Sequence, residues 1–164
     1  MKLLKPKLWV DDLSHIPLKE LKNDGIKALI IDIDNTLVAW DADQPSRESI
    51  HWVKKAKEEG FTIMLVSNNK PKRVQRMQAF FHCRGLSGAK KPTGFGLKKA
   101  LRIMKKRPYE TAIIGDQIFT DILGGNRIGI YTILVTPIKS KEFWWTTFVR
   151  HAENRVLRRL KKYR

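Results

Sequence analysis

Short apolar segments alternate with longer amphipathic segments along most of the chain. Four of the short segments are rich in aliphatic residues and bounded by Gly, Asp, Asn or Pro. They are therefore predicted to be strands buried on both faces: residues 27–31, 61–66, 111–114 and 131–135. A weaker segment of the same kind spans residues 84–89.

The amphipathic segments between these strands predict helices over residues 46–59, 71–81, 93–105 and 118–126. Gly60 follows the first helix as a typical C-terminal stop, and Pro71 begins the second at a position that favours proline. Strands and helices that alternate in this order predict an α/β fold, with a mostly parallel sheet between two layers of helices.

Polar residues follow the predicted strands at the points where they end. They are Asp32, Asp34 and Thr36 after the first strand, Ser67 and Asn68 after the second, Lys90 and Lys91 after the weaker segment, and Asp116 and Asp121 after the next strand. Ligands of parallel sheets bind beyond the carboxyl ends of the strands. We therefore expect these side chains to converge at one edge of the sheet.

This set of groups suits a magnesium ion beside a bound phosphate. Mg²⁺ prefers oxygen ligands and keeps several waters, so one or two protein carboxylates suffice. A carboxylate can also attack phosphorus and form an aspartyl-phosphate. Each motif alone could be a turn or a helix cap, but four of them in order favour a catalytic site.

The motifs resemble those of a known enzyme superfamily. Asp-x-Asp-x-Thr, Ser-Asn, Lys-Pro and Gly-Asp-x-x-x-x-Asp follow one another as in the haloacid dehalogenase (HAD) superfamily of phosphohydrolases, over roughly residues 26–137. The fuller strings Asp-Ile-Asp-Asn-Thr-Leu-Val and Gly-Asp-Gln-Ile-Phe-Thr-Asp are similar to the YqeG-type phosphatases of subclass IIIA. That group is similar to the mitochondrial phosphatidylglycerophosphate phosphatases. The resemblance implies a Rossmann-like three-layer sandwich.

The resemblance also implies roles for the acidic residues. Asp32 resembles the nucleophile, and Asp34 resembles the acid that protonates the leaving oxygen and then activates water as a base. Asp32, the backbone carbonyl of Asp34 and Asp116 would bind Mg²⁺, and Asp121 would orient the waters of the metal.

The remaining motif residues are implied to hold the phosphoryl group. Ser67 and Asn68 would bind its oxygens, Lys91 would neutralise its charge, and Thr36 would brace the Asp32–Asp34 loop. Both Lys90 and Lys91 are candidates for the lysine, and the position directly before proline favours Lys91.

The spacing of the motifs leaves no room for a cap domain. Only 28 residues separate Val38 from Ser67, and 21 separate Asn69 from Lys91. Neither stretch is long enough for a separate domain. An open site suits a substrate whose bulk stays outside, such as a lipid, a protein or a nucleic acid.

The charge of the chain predicts an acidic partner. The formal net charge is +17, and residues 60–109 contain 13 lysines and arginines without one acid. Such an excess attracts nucleic acid, anionic membranes or phosphorylated substrates. A solvated surface explains part of it but not the missing acids.

The C-terminal segment, residues 139–164, combines aromatic and basic residues. Phe143, Trp144 and Trp145 precede a predicted amphipathic helix with an apolar stripe formed by Val149, Ala152, Val156, Leu160 and Tyr163. Such a helix lies in a membrane interface, or it packs on the core or on a second subunit of a homodimer. The three alternatives stay open. Residues 1–25 are predicted to pack on the core domain, residues 26–138.

These observations favour a Mg²⁺-dependent phosphatase that acts on phosphatidylglycerophosphate. No apolar run is long enough to span a membrane, no secretory signal is recognised, and the single cysteine fits a reducing cytosol. We therefore expect a cytoplasmic protein, peripheral on the inner face of the membrane. Two alternatives remain: a phosphatase of soluble monoesters such as nucleotides or sugar phosphates, and an RNA- or ribosome-associated binding module.

Overall fold

A computed structural model describes residues 2–139 together with Arg155, Val156 and Arg158. In this part of the chain one six-stranded sheet forms, and all of its strand pairs are parallel. The strands are β1 (Leu8–Val10), β2 (Ala28–Ile31), β3 (Thr62–Val66), β4 (Arg84–Leu86), β5 (Thr111–Gly115) and β6 (Tyr131–Val135). Their order across the sheet is β1-β6-β5-β2-β3-β4, which places β2 between β5 and β3.

Helices cover both faces of this sheet. Among the described residues they are α1 (Leu18–Asn23), α2 (Arg47–Glu58), α3 (Pro71–Phe81), α4 (Phe95–Met104) and α5 (Leu123–Arg127). Apolar residues of α1, α2 and α3 share one core with Leu29 and Ile31, whereas those of α4 share another with Ile30. Because successive side chains of a strand point to opposite faces, β2 is buried on both sides. The predicted three-layer α/β fold is therefore confirmed.

The predicted boundaries hold to within a few residues. Helix α3 has its predicted bounds, and α4 begins two residues later than predicted. The helix predicted over 118–126 begins instead as a π-helical turn, Ile118–Ile122, and continues as α5. Strand β1 is missing from the prediction, because three residues are too few to show a periodic pattern. It pairs with β6, so the segment 1–25 contributes the edge strand of the sheet.

No cap domain covers the sheet within the described residues. The chain between β2 and β3 holds α2, and the chain between β3 and β4 holds α3. Both helices pack into the core beneath the sheet face that they share. Among the described residues, no second domain therefore lies over the carboxyl edge of the sheet.

A third apolar cluster involves the C-terminal segment. Val156 is helical and packs with Leu4 and Trp9 against Ile118, Ile122 and Leu134. This contact supports core packing for that residue of the predicted stripe; the aromatic residues 143–145 lie outside the described residues. No described helix is long and apolar enough to span a membrane.

Replacing Val156 by serine should destabilise the fold by about 1–2 kcal/mol, because it removes the apolar side chain that packs on this third cluster. Arg158→Ser, two residues along and exposed, is the matched control and should change stability by less than about 0.5 kcal/mol. Urea unfolding monitored by tryptophan fluorescence measures both. Equal midpoints for the two variants would show that the contact contributes nothing.

Candidate active site

Four neighbouring strands deliver polar residues to one edge of the sheet. Asp32 directly follows β2, Ser67 follows β3, and Asp116 follows β5. Lys91 comes five residues after the end of β4. The backbone N–H of Ser67 donates to the carbonyl oxygen of Leu86, and that of Asp32 donates to the carbonyl oxygen of Ile114. The hydrogen bonding between strands therefore continues into the site. The predicted convergence is therefore observed.

Lys91 lies at the centre of this site. Its Nζ donates to Asp32 Oδ1 at 2.6 Å and to Asp121 Oδ1 at 2.6 Å, and it also reaches the carbonyl oxygen of Val66 at 3.1 Å. The lysine is only 6% exposed. Lys90, the alternative candidate, is exposed and has a left-handed backbone with φ of 54°. Lys91 is thus the lysine that enters the site.

Asn68 holds the backbone of Lys91 through its side chain. The amide oxygen of Asn68 accepts from the N–H of Lys91 at 2.8 Å, and its Nδ2 donates to the carbonyl oxygen of Lys91 at 3.1 Å. The Ser67 hydroxyl accepts from the N–H of Asn69 at 3.0 Å and is buried. Asn68 therefore positions the lysine, a role that the sequence analysis did not predict.

Three carboxylates meet beside Lys91. Asp32, Asp116 and Asp121 each offer an oxygen within 4.8 Å of the others. The Thr36 hydroxyl lies 3.5 Å from Asp116 Oδ1, and Asp121 Oδ2 accepts from the N–H of Gln117 at 3.2 Å. One ammonium faces three acids, so a divalent cation would balance the remaining negative charge. Asp32 and Asp116 fit this role best, because Lys91 and Gln117 already occupy the oxygens of Asp121.

A glycine makes room for Asp121. A Cβ atom on Gly115 would lie 2.2 Å from the carboxylate of Asp121, far closer than any side chain tolerates. The glycine at the end of β5 therefore lets Asp121 fold back onto the site from the π-helical turn.

Burial and the ion pairs set the protonation of the central groups. Burial raises the pKa of Asp32 to about 7, and the Lys91 ammonium opposes part of that shift. For Lys91, burial by itself disfavours the ammonium, but the carboxylates of Asp121 and Asp32 outweigh it and raise the pKa of the lysine. Lys91 is therefore a fixed positive charge at neutral pH.

Asp34 lies in a different environment, although only one residue separates it from Asp32. Its Oδ1 accepts from Nε and Nη2 of Arg73 at 3.2 and 3.0 Å, and its Oδ2 accepts from Nδ2 of Asn69 at 3.2 Å. The carboxylate is not part of the acidic cluster. Arg73 also donates to the carbonyl oxygens of Ala39 and Ala42, and so ties the loop after β2 to α3.

Sequence reasoning missed Arg73 and Asn69. Arg73 is one of thirteen cations between residues 60 and 109, and nothing in its local pattern distinguishes it from the others. Asn69 follows the Ser-Asn motif directly, and this adjacency was the available signal. Their shared partner, Asp34, lies 39 residues from Arg73 and 35 residues from Asn69 along the chain.

Comparisons with known proteins identify the family of this chain. The sequence model of the family described as mitochondrial PGP (phosphatidylglycerophosphate) phosphatase matches residues 1–139. The chain is 38% identical over 161 residues to the probable phosphatase YqeG of Bacillus subtilis, covering 98% of this chain and 94% of that protein. It is 30% identical over 170 residues to phosphatidylglycerophosphate phosphatase 1, chloroplastic/mitochondrial, of Arabidopsis thaliana, covering 94% of this chain but 47% of that protein.

Solved structures share the fold at low sequence identity. The cobalt-bound deoxy-D-mannose-octulosonate 8-phosphate phosphatase of Haemophilus influenzae superposes with a TM-score of 0.55 at 18% identity, over 70% of each chain. A HAD subfamily IIIA hydrolase of Legionella pneumophila gives a TM-score of 0.51 at 16% identity, over 61% of this chain and 59% of that one. Since the family match spans most of the chain and its relatives are phosphatases, this protein belongs to the PGP phosphatase family, has the fold of the HAD hydrolases and is a phosphatase.

Proposed function

We propose that this phosphatase converts phosphatidylglycerophosphate to phosphatidylglycerol in a Mg²⁺-dependent reaction on the inner face of the cytoplasmic membrane. The observation that carries the proposal is the family match over residues 1–139, because relatives in that family are named for this substrate. The uncapped site adds support. Diacyl chains and the bridging phosphate can stay outside while the terminal phosphate enters.

In the proposed reaction, Asp32 carries out the first step. Its carboxylate attacks phosphorus, a new O–P bond forms, and the ester bond to the glycerol oxygen breaks. Lys91, 2.6 Å from Asp32, and the Ser67 hydroxyl hold the equatorial oxygens whose charge must be balanced. The products of this step are an aspartyl-phosphate and, once the leaving oxygen has been protonated, the free alcohol of phosphatidylglycerol.

Asp34 transfers a proton in each of the two proposed steps. In the first step it gives a proton to the leaving oxygen, which departs as the alcohol. In the second step it takes a proton from a water that attacks phosphorus, the bond to Asp32 breaks, and inorganic phosphate leaves. The Arg73 and Asn69 contacts hold the carboxylate of Asp34 in one orientation for both transfers.

A divalent cation would be held by the carboxylates of Asp32 and Asp116, with Asp121 bracing Lys91 beside them. When bound, Mg²⁺ supplies electrostatic stabilisation of the phosphoryl oxygens. The carboxylate of Asp34 takes no part in this cluster, and its backbone carbonyl remains the proposed contact from that residue.

The direct test is phosphate release from phosphatidylglycerophosphate in anionic vesicles, beside a panel of nucleotides and sugar phosphates. Wild-type protein should hydrolyse the lipid in the presence of Mg²⁺, and Asp32→Asn should release none, since an amide does not attack phosphorus. Hydrolysis confined to the soluble panel would overturn the lipid substrate. That outcome would favour the soluble-monoester alternative, to which the 29% identical segment of a Pyrococcus furiosus glyceraldehyde 3-phosphate phosphatase also points.

Asp34→Asn should lower turnover of an alkyl phosphate by about 10²–10⁴, the range expected for general acid catalysis. The loss should be smaller for p-nitrophenyl phosphate, because its leaving group departs without a proton. Steady-state kinetics with the two substrates measure the difference. Equal losses would exclude Asp34 as the general acid.

Arg73→Ala should reproduce part of this leaving-group dependence, with a loss of about 10–100-fold on the alkyl phosphate. The matched control is Arg76→Ala, one turn along α3, which removes an exposed ion pair to Asp43 in the same loop. In the double variant with Asp34→Asn, the effect of Arg73→Ala should largely disappear, because both act on the same proton transfer. Additive losses would mean that Arg73 acts independently of Asp34.

Lys91→Met should lower turnover by at least about 10², since it removes the buried charge that faces the phosphoryl oxygens. It should also destabilise the fold by about 3–5 kcal/mol, because Asp32 and Asp121 lose their shared partner. Lys90→Met, at the exposed neighbour, should change neither quantity by much. Kinetics and thermal unfolding of the two variants provide the comparison, and the reverse ranking would shift the role to Lys90.

A further inference from the structure

The outward face of α4 carries one aromatic residue and a row of cations. Phe95, Lys98, Lys99 and Arg102 follow the spacing i, i+3, i+4 and i+7, which places them on one side of the helix, and all four are exposed. The opposite side of α4, formed by Gly96, Leu97, Ala100 and Leu101, is buried in the core. We call the four exposed residues, together with Lys105 directly after the helix, the α4 basic face.

The chemistry of this face differs from that of the rest of the surface. Phe95 is 60% exposed, although a large apolar ring usually avoids water. It lines a shallow groove of about 650 Å³ with cationic and apolar residues and without any acid: Lys98, Leu101, Arg102, Lys105, Lys106, Arg107 and Pro108. The face is thus basic and apolar at once.

The other sheet face provides the contrast. Helix α2 exposes Arg47, Lys54 and Lys55, but also Glu48 and Glu58. Its neighbouring groove, toward α1, is likewise lined by residues of both signs. Helix α3, on the same sheet face as α2, exposes Lys72 and Arg76 without an acid, so the exposed ring of Phe95 distinguishes the α4 basic face from it.

The Phe95 end of the α4 basic face adjoins the active site, and the face runs from there toward the amino edge of the sheet, where β5 begins at Thr111. Helix α4 begins four residues after Lys91, so the Cα atoms of Lys91 and Phe95 are at most about 14 Å apart. A surface held against Phe95 would therefore lie next to the carboxyl edge of the sheet, where the substrate phosphate enters.

We propose that the α4 basic face docks this phosphatase on an anionic lipid bilayer, with Phe95 inserted among the headgroups and the cations paired with lipid phosphates. The proposal rests on the lipid substrate proposed above and assigns the surface that presents the site to it. Charge complementarity identifies the occupant: each lysine or arginine near an anionic leaflet contributes about fivefold to membrane affinity, and an inserted aromatic ring adds apolar burial.

The test uses the full-length chain and co-sedimentation with vesicles of phosphatidylglycerol and phosphatidylcholine. The double variant Lys98→Glu/Arg102→Glu should bind at least about 20-fold more weakly than wild type. The matched control is Lys19→Glu/Lys55→Glu, which makes the same change in net charge at exposed positions on the opposite sheet face. It should bind within about threefold of wild type. Equal losses for the two double variants would overturn the α4 basic face as the docking surface.

Phe95→Ser separates the apolar part of the contact from its charge. Its binding should fall most, relative to wild type, at high salt, where exposed charges are screened but apolar burial is not. Unchanged binding of Phe95→Ser at high salt would overturn the insertion of the ring.

Two further measurements keep this proposal separate from the proposed substrate. Turnover of p-nitrophenyl phosphate should be the same in wild type and in Lys98→Glu/Arg102→Glu, because neither residue contacts the site. Absence of phosphatidylglycerophosphate hydrolysis even in neutral detergent micelles would refute the substrate, whereas vesicle binding that survives Lys98→Glu/Arg102→Glu would refute only the docking surface. Tight binding of single-stranded RNA that this variant abolishes, with no binding of vesicles by wild type, would overturn the bilayer in favour of nucleic acid.

Discussion

The ion-paired ammonium of Lys91 organises the active site. It joins the chain after β2, through Asp32, to the turn after β5, through Asp121, and it bonds to the last carbonyl of β3. Without this charge, two buried carboxylates would face each other in a region of low dielectric, at a cost of several kcal/mol. Asn68 fixes the backbone of the lysine, and Gly115 clears the space that Asp121 occupies. One buried cation therefore holds the ends of these strands together as a site.

Two carboxylates one residue apart acquire different roles because their partners differ. Asp32 is buried against Lys91, in the cluster that suits a cation, whereas Asp34 is held by Arg73 and Asn69 at the edge of that cluster. The surroundings thus direct one carboxylate to the lysine and its acidic cluster, and the other to the arginine of α3. Residues two apart in a strand point to the same side. The separation therefore requires the chain to leave strand geometry after β2, where it turns through Asn35 with a φ of 65°.

The two faces of the sheet have different surroundings as well. The α1–α3 side exposes charges of both signs, whereas the α4 side exposes cations with an aromatic ring. Val156 packs on the apolar cluster that Ile118, Ile122 and Leu134 form. Part of the C-terminal segment thus belongs to the fold, and a membrane contact by this protein need not depend on that segment alone.

Local patterns in the sequence determined the strands β2, β3, β5 and β6, the parallel α/β topology and the strand-end motifs. Hydrophobic periodicity and turn residues act over a few neighbours, so they are legible without a structure. Tertiary structure alone decided that Lys91 enters the site and Lys90 does not, that Arg73 holds Asp34, and that Leu8–Val10 forms an edge strand. The partners lie far apart along the chain: 59 residues separate Lys91 from Asp32, 39 separate Arg73 from Asp34, and 125 separate Leu8 from Ile133. A lysine or arginine acquires its specific partner only in the folded protein, so no local pattern in the sequence identifies the pair.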